Sequence, residues 1–255
     1  MVKKFISYKF SPDLVEGIIV ERIRSYIMLV KYNKEIIKCH CPTTCSIGNF
    51  SLQNLPCLLS ISNDPKRKTK YTVEAISLDN QKIKNKKWIG INQTKVNKYF
   101  EYFLKQGMFS KIFPKKINKI EREKNFNNSK FDFKIDDTLL EIKTPLQIIN
   151  TDIPNNIQIK KKIKFSVGNR FLKHMKDLKK YLTLKKRAVL LFIYMYDLKQ
   201  KKLSDEDKKK YIKIDEIIDE CKNTENMGLE TWNVIFKINK KEITVDKIRK
   251  IHLIE

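Results

Sequence analysis

The sequence predicts a mixed α/β protein in which a small β-barrel precedes an α/β unit. Short strand-like segments separated by turn residues fill the chain up to about residue 90, and helical and strand patterns alternate after it. The chain has 255 residues, of which 41% are hydrophobic, enough for a well-packed core. We therefore expect a barrel domain at residues 1–88 and an α/β domain at residues 89–255.

Four strand-like segments lie in the first part of the chain: 17–31, 35–41, 56–62 and 70–76. Tyr32-Asn33-Lys34 separates the first two segments as a hairpin turn, and Asp79-Asn80 marks a further turn. Regularly spaced short strands with turn signals are typical of small barrels. An OB-like barrel fits this size and predicts a nucleic-acid-binding domain.

Helices and strands alternate in the second part. Asn92 is predicted to cap a helix that ends at Gly107, and Ser166 is predicted to begin a second helix. The segment 187–196 is almost continuously apolar, as in a central buried strand. The remaining predicted elements are strands at 117–125 and 231–238, a helix at 214–221, and a charged loop or helix start at 199–210.

Residues 131–143 read as a β-hairpin with Asp136-Asp137 as its two-residue turn. Phe131, Phe133, Ile135, Leu140 and Ile142 then form a buried face. The same register pairs 135 with 138, 134 with 139 and 133 with 140. It places Asp132 across from Glu141, with Lys143 on their face.

The acid–lysine cluster, which we define as Asp132, Glu141 and Lys143, indicates chemistry on phosphate. Two like charges facing each other destabilise a hairpin, and a bound divalent cation would reverse that penalty. Carboxylate oxygens suit Mg²⁺, or Mn²⁺, which often binds beside phosphate. The cluster thus predicts metal-assisted phosphodiester cleavage, and the alternative is an ordinary solvated hairpin face.

The charge of the chain favours a polyanionic partner. Lys and Arg number 54 against 29 acids, so the formal net charge is +25. Such an excess is expected of a nucleic-acid-binding protein. A bias towards Lys, Asn and Ile in the coding sequence would give a similar composition, with many lysines merely solvating the surface.

Several segments, taken in chain order, resemble the sugar fermentation stimulation protein A (SfsA) family. They are His40-Cys41-Pro42-Thr43-Thr44, Lys66-Arg67-Lys68, Ile89-Gly90-Ile91-Asn92 with Asn97, Asp132-Phe133, Glu141-Ile142-Lys143, Arg170, Lys173-His174 and residues 187–192. The resemblance covers most of the chain. It implies an OB-like domain joined to a nuclease-like domain of the PD-(D/E)xK class, with DNA binding and a metal-dependent nuclease site.

The resemblance also implies roles for particular residues. Asp132 and Glu141 would be the metal ligands, Lys143 the motif lysine, and Glu121 an acid on the preceding strand. The residues expected to contact DNA phosphates are Lys66, Arg67, Lys68, Arg170, Lys173 and His174. Before the second helix, where the family usually has Phe-Pro-Asp-Ala, this chain has Ile163-Lys164-Phe165-Ser166.

Other candidate sites have simpler explanations. Cys39, Cys41, Cys45 and His40 could suggest zinc, but a strand would point Cys39 and Cys41 away from His40, and buried small cysteines explain them. The triplet Lys66-Arg67-Lys68 could be only a charged turn, and His174 could be a core residue. Five cysteines do not form a disulfide framework.

These patterns predict an intracellular protein, cytoplasmic or associated with the nucleoid. Met1-Val2-Lys3-Lys4 is not followed by a signal-peptide core, and the longest apolar run, 188–196, is too short to cross a membrane. The expected partner is DNA, bound through sequence-independent phosphate contacts. A non-catalytic DNA-binding regulator of sugar metabolism genes and an RNA-binding accessory protein remain as alternatives.

Overall fold

The computed structural model describes residues 6–160, 165–166, 169–199, 211–212 and 214–253, and it contains a barrel sheet and a larger mixed sheet. The barrel strands are β2 (Val15–Arg24), β3 (Ile27–Tyr32), β4 (Glu35–His40), β5 (Pro56–Ile61), β6 (Tyr71–Ile76) and β7 (Ile89–Gly90). They are ordered β4-β3-β2-β5-β6-β7, and β4 also pairs with β6. That pairing closes a five-stranded barrel, which confirms the OB-like prediction.

The first predicted strand is in fact two strands. The segment 17–31 was expected to be continuous, but the chain turns at Ser25-Tyr26 between β2 and β3. The two strands pair antiparallel with register shifts, so a long twisted hairpin replaces one strand. The turn at Asn33 and Lys34 is confirmed, since both residues have positive φ, 49° and 69°.

The larger sheet has seven strands. They are β1 (Ser7–Lys9), β8 (Ile120–Phe126), β9 (Ser129–Ile135), β10 (Thr138–Lys143), β12 (Arg187–Tyr194), β14 (Glu230–Ile238) and β15 (Glu242–Ile251). In the order β1-β15-β14-β12-β10-β9-β8, strand β12 is central, as its apolar run predicts. Two short strands, β11 (Phe165–Ser166) and β13 (Tyr211–Ile212), pair separately.

Helices cover both faces of this sheet. A 3-10 turn at Gln93–Lys95 leads into α1 (Val96–Lys105), which packs on the face formed by Val189 and Leu191 of β12. The opposite face, with Ala188 and Leu190, packs against α2 (Asn169–Thr183) and α3 (Ile214–Asn226). No helix in the described ranges is long and apolar enough to cross a membrane.

One predicted helix start is confirmed in position and the other is wrong. Asn92 is the N-cap residue of the 3-10 turn that leads into α1, but its side chain makes no capping bond: its amide donates to Glu74 and its oxygen accepts from Thr94. Ser166 lies in β11, and α2 begins at Asn169. Most of the charged segment 199–210 lies outside the described residues.

The domain boundary at residue 88 remains a prediction. Two strands pair with the sheet on the other side of that boundary. Strand β1 lies in the first part of the sequence but pairs with β15 of the larger sheet. Strand β7 lies just beyond residue 88 but pairs with β6 of the barrel.

Candidate metal and nucleic-acid site

The β9–β10 hairpin carries the acid–lysine cluster in the expected place. Ile135 pairs with Thr138, Lys134 with Leu139 and Phe133 with Leu140, as predicted. Asp136 has a φ of 48°, the left-handed conformation that a two-residue turn requires. Its carboxylate also accepts backbone N–H groups from Asn118 and Lys119, which ties the turn to the start of β8.

Asp132 does not continue the ladder. The paired residues end at Phe133 and Leu140, and the backbone N–H of Ile142 donates instead to Asp132 Oδ2 at 2.7 Å. Asn97 Nδ2 on α1 donates to Oδ1 at 2.7 Å. The side-chain bond to Ile142 therefore replaces the predicted direct pairing of Asp132 with Glu141.

The alternation of β9 also breaks at Asp132. Phe133 and Ile135 pack in the core under α1, as predicted. Phe131 packs instead in the core under α2, so its predicted face is wrong. This change of face leaves Asp132 at an irregular point of the strand, next to the end of the ladder.

Glu141 is the most buried charge of the cluster, with 3% of its surface exposed. Its Oε1 accepts hydrogen bonds from Lys143 Nζ and from His174 Nδ1, both at 2.6 Å. Its Oε2 is buried without a partner among the described residues. A buried carboxylate oxygen with no donor is costly, so Oε2 has an unfilled capacity for a proton donor or a cation.

The two acids have opposite pKa shifts. Burial and the nearby charge of Glu141 raise the pKa of Asp132, despite hydrogen bonds from Ile142 and Asn97. Burial would also raise the pKa of Glu141, but the hydrogen bond from His174 and the charge of Lys143 outweigh burial and lower it. The pair thus resists carrying two full negative charges without further compensation.

Glu121 lies on β8, the strand next to β9, as predicted for the additional acid. Its carboxylate pairs with Lys124 at 2.9 Å and with Lys119 at 3.4 Å. The hydrogen bond from Lys124 lowers the pKa of Glu121. The structure therefore shows Glu121 in a surface ion-pair group, and its catalytic role stays a prediction.

The three predicted residues of α2 separate into two environments. His174 is buried, donates to Glu141 and packs against the Phe131 ring at 5.3 Å. Arg170 and Lys173 are exposed. Lys173 also lines a cavity of about 370 Å³, together with Lys176, Lys180 and Asn127.

The triplet Lys66-Arg67-Lys68 forms an exposed loop between β5 and β6. Asp64 organises the loop, because its Oδ1 accepts the backbone N–H of Lys66 at 2.9 Å. Arg67 donates to Thr72 Oγ1 at 2.9 Å, and the charges of all three side chains face solvent. This arrangement leaves the triplet free to contact a phosphate backbone.

Sequence reasoning assigned no role to Asn97, yet it is one of two hydrogen-bond donors to Asp132. Asn97 is among the residues that carry the family resemblance, but the resemblance implies no role for it, and it lies in the helix that also carries the buried Val96 and Phe100. Sequence reasoning also placed His174 with the phosphate contacts rather than with Glu141. Both contacts join distant parts of the chain, so spacing alone did not reveal them.

Within the described ranges, no group of three or more His, Cys, Asp or Glu side chains is arranged to hold a metal ion. The two carboxylates of the cluster would therefore need water, backbone or substrate oxygens to complete a cation shell. Cys39 and Cys41 lie in the barrel core and His40 is half-buried, which fits the structural explanation of that segment.

Comparisons with known proteins agree with this architecture. The profile of the SfsA N-terminal OB domain matches residues 20–91. A sugar fermentation stimulation protein homolog of Pelagibacter ubique is 26% identical over 247 residues, covering 95% of this chain and 98% of the homolog. A homolog of Rippkaea orientalis is 28% identical over 189 residues, covering 71% and 73%.

A solved structure supports the same fold. The structure of Pyrococcus furiosus SfsA in complex with Ca²⁺ superposes with a TM-score of 0.69 at 18% identity, covering 94% of this chain and 96% of that one. The barrel profile, the near-full-length relatives and the shared fold agree with the ordered motifs. Residues 20–91 match the SfsA N-terminal OB domain, and most of the chain is similar to sugar fermentation stimulation protein homologs.

Proposed function

We propose that this protein is a divalent-metal-dependent DNA phosphodiesterase whose centre is the acid–lysine cluster. The observation that supports this function is the Asp132–Glu141 pair itself. Both acids are largely removed from water, and Glu141 Oε2 has no partner among the described residues. A cation between them would satisfy that oxygen and offset both the burial and the charge of Glu141 that raise the pKa of Asp132.

The residues fit a hard cation. Asp132 uses one acceptor position on each carboxylate oxygen, so further lone pairs stay free. Mg²⁺ commonly binds through one or two carboxylates and completes its shell with water and substrate phosphate. The Pyrococcus furiosus protein of the same fold was solved with Ca²⁺, which supports a divalent cation here.

Each residue of the cluster then has a role. Asp132 and Glu141 would hold the cation, which when bound polarises a phosphate and lowers the pKa of a water. Lys143 Nζ would stabilise the negative charge that develops on the phosphate oxygens. His174 fixes the Glu141 carboxylate from the side of α2, and Asn97 fixes Asp132 from α1.

The exposed basic residues supply the proposed DNA contacts. Arg170 and Lys173 lie on α2, which also carries His174, so a phosphate backbone passing the cluster would meet them. The loop of Lys66, Arg67 and Lys68 offers a second region of contact on the barrel. Such contacts position a duplex without reading its sequence.

A plasmid-cleavage assay with Mg²⁺, Mn²⁺ or EDTA, combined with calorimetry of metal binding, tests this function. We expect cleavage only with metal, and we expect Asp132→Asn to abolish both cleavage and metal binding while the circular dichroism spectrum is unchanged. If the wild-type protein binds neither Mg²⁺ nor Mn²⁺, with or without DNA, the phosphodiesterase proposal is wrong.

One observation favours a second function, a non-catalytic DNA-binding regulator. Lys143 and His174 already pair with Glu141, so the cluster has a neutralising partner without any cation. A regulator of this kind would bind DNA through the same phosphate contacts, and its affinity would fall with rising salt, but it would not cleave DNA. A titration in which DNA and RNA compete separates both functions from an RNA-binding role.

A further inference from the structure

The Cys41–Thr44 segment of the barrel takes no part in the proposed chemistry, yet it is tied to the acid–lysine cluster. Thr43 is completely buried, and its Oγ1 donates to the backbone oxygen of Ile91 at 2.5 Å and lies 3.2 Å from Gln93 Oε1. Gln93 Nε2 donates in turn to the backbone oxygen of Thr144 at 2.5 Å. Polar contacts thus connect the barrel, through Thr43 and Gln93, to the residue directly after Lys143.

The end of β10 is paired on one side only. Its pairing with β9 stops at Leu140, and beyond that point on that side the Ile142 N–H donates to the Asp132 side chain. On the other side its ladder with β12 ends at Lys143, opposite Phe192. A strand frays beyond its last ladder pair, so the bond from Gln93 to Thr144 adds a restraint on the backbone directly after Lys143.

Contacts within the barrel fix the segment that lies against Gln93. Arg22 of β2 donates to the backbone oxygens of Thr43 and of Cys45, the latter at 2.9 Å, which fixes the segment around Thr43. Gln93 Nε2 donates to the backbone oxygen of Thr144, and Gln93 Oε1 lies 3.2 Å from the Thr43 hydroxyl, whose single proton is shared with the backbone oxygen of Ile91. The orientation of the Gln93 amide is therefore determined by the barrel and transmitted to β10.

We propose that Gln93 is a positioning residue that uses the barrel to place Lys143 in the acid–lysine cluster. This inference rests on the proposed function and goes beyond it, because it gives the barrel a part in the cleavage step. A displacement of about 1 Å at a reacting group lowers rates by about 10²-fold. The loss of one restraint at the strand end should therefore lower the rate by about tenfold or more.

The test compares Gln93→Met with Gln81→Met. Methionine matches glutamine in length but makes neither hydrogen bond. Gln81 is a matched control, because its Nε2 also donates to a backbone oxygen, that of Asn54 at 3.0 Å, in an exposed loop. In single-turnover cleavage at saturating DNA, we expect Gln93→Met to be at least about tenfold slower, with unchanged Kd values for DNA and Mg²⁺. We expect Gln81→Met to match the wild type.

Conservative substitutions separate positioning from general loss of stability. Thr43→Val should slow cleavage in the same direction, and Thr43→Ser should restore the wild-type rate because the hydroxyl is retained. A purely structural role would instead lower the folded fraction and affect Kd and rate together. An unaltered single-turnover rate for Gln93→Met in an active protein overturns the inference.

Hydrogen exchange provides a readout independent of catalysis. We expect the amides of residues 142–144 to exchange faster in Gln93→Met than in Gln81→Met. If the wild type cleaves no DNA but this difference is present, only the proposed function fails. If the exchange rates of the two variants are equal, Gln93 does not position β10, whatever the activity of the protein.

Discussion

Glu141 holds a charge that is almost fully removed from water, is balanced by the ammonium of Lys143 and accepts a hydrogen bond from His174. Because its pKa is lowered in the folded protein, Glu141 stabilises the fold above its ordinary value of 4.5. This stabilisation is lost as the pH falls through the lowered value. The proton affinity of a single side chain thus contributes to the acid sensitivity of the whole domain.

The variant Glu141→Gln tests this contribution. In EDTA at pH 7 we expect the free energy of unfolding to fall by about 2 kcal/mol, the range for a lost charged hydrogen bond. Below the ordinary pKa of 4.5 the difference between wild type and variant should shrink. Urea denaturation at a series of pH values measures the difference in free energy of unfolding between wild type and variant. A difference that does not change with pH would contradict the expectation.

Lys143 differs from the many surface lysines because its ammonium contacts a buried carboxylate. If it stabilises charge on the phosphate, Lys143→Ala should lower single-turnover cleavage by about 10²-fold, the effect of losing one preorganised donor. The Kd for DNA should change less than in a variant in which Lys66, Arg67 and Lys68 are all replaced by Ala. Lys222→Ala, an exposed control on α3, should alter neither quantity.

Among the elements, the β9–β10 turn is well suited to a stability test. Asp136 has positive φ and accepts hydrogen bonds from Asn118 and Lys119, whereas Asp137 is exposed. We expect Asp136→Ala to lower the free energy of unfolding by about 1–2 kcal/mol, since alanine loses these bonds and disfavours this conformation. Asp137→Ala should change it by less than about 0.5 kcal/mol in the same urea titration.

The elements that the sequence revealed are those with a strong local pattern. Alternation and a turn motif predicted the β9–β10 hairpin and three of its pairs, and an apolar run predicted β12 as the central strand. Strand β15 was missed because most of its side chains are only partly buried, so its alternation is weak. The change of face at Asp132 was missed because bonds from distant Asn97 and from Ile142 stabilise it.

At the scale of the molecule, the barrel and the larger sheet share their packing. Leu146, Ile149, Ile157 and Tyr196 lie beyond the predicted boundary yet complete the core of the barrel. Gly48 N–H also donates to the backbone oxygen of Leu146 at 2.8 Å. The predicted boundary at residue 88 rests on a change in secondary-structure pattern along the sequence. Part of the barrel core comes from residues after that boundary, and local sequence patterns do not reveal such long-range packing.

The net charge of +25 leads to the prediction for the molecule as a whole. If phosphate contacts dominate binding, log K for DNA should fall linearly with log salt. Replacing Lys66, Arg67 and Lys68 together by Ala should reduce the magnitude of that slope by about 3, since each phosphate contact contributes about 0.9. Fluorescence anisotropy titrations at several salt concentrations measure the slope.

A matched triple variant separates contact from general charge. Lys237, Lys240 and Lys241 lie around the β14–β15 turn, and the first two already pair with Asp246 and Glu16 at 2.7 and 2.8 Å. Their replacement by Ala removes the same three charges but, we expect, no phosphate contact, so the slope should stay near the wild-type value. Equal slopes for the two triple variants would show that the 66–68 loop lies outside the DNA interface and that binding reflects only the overall charge.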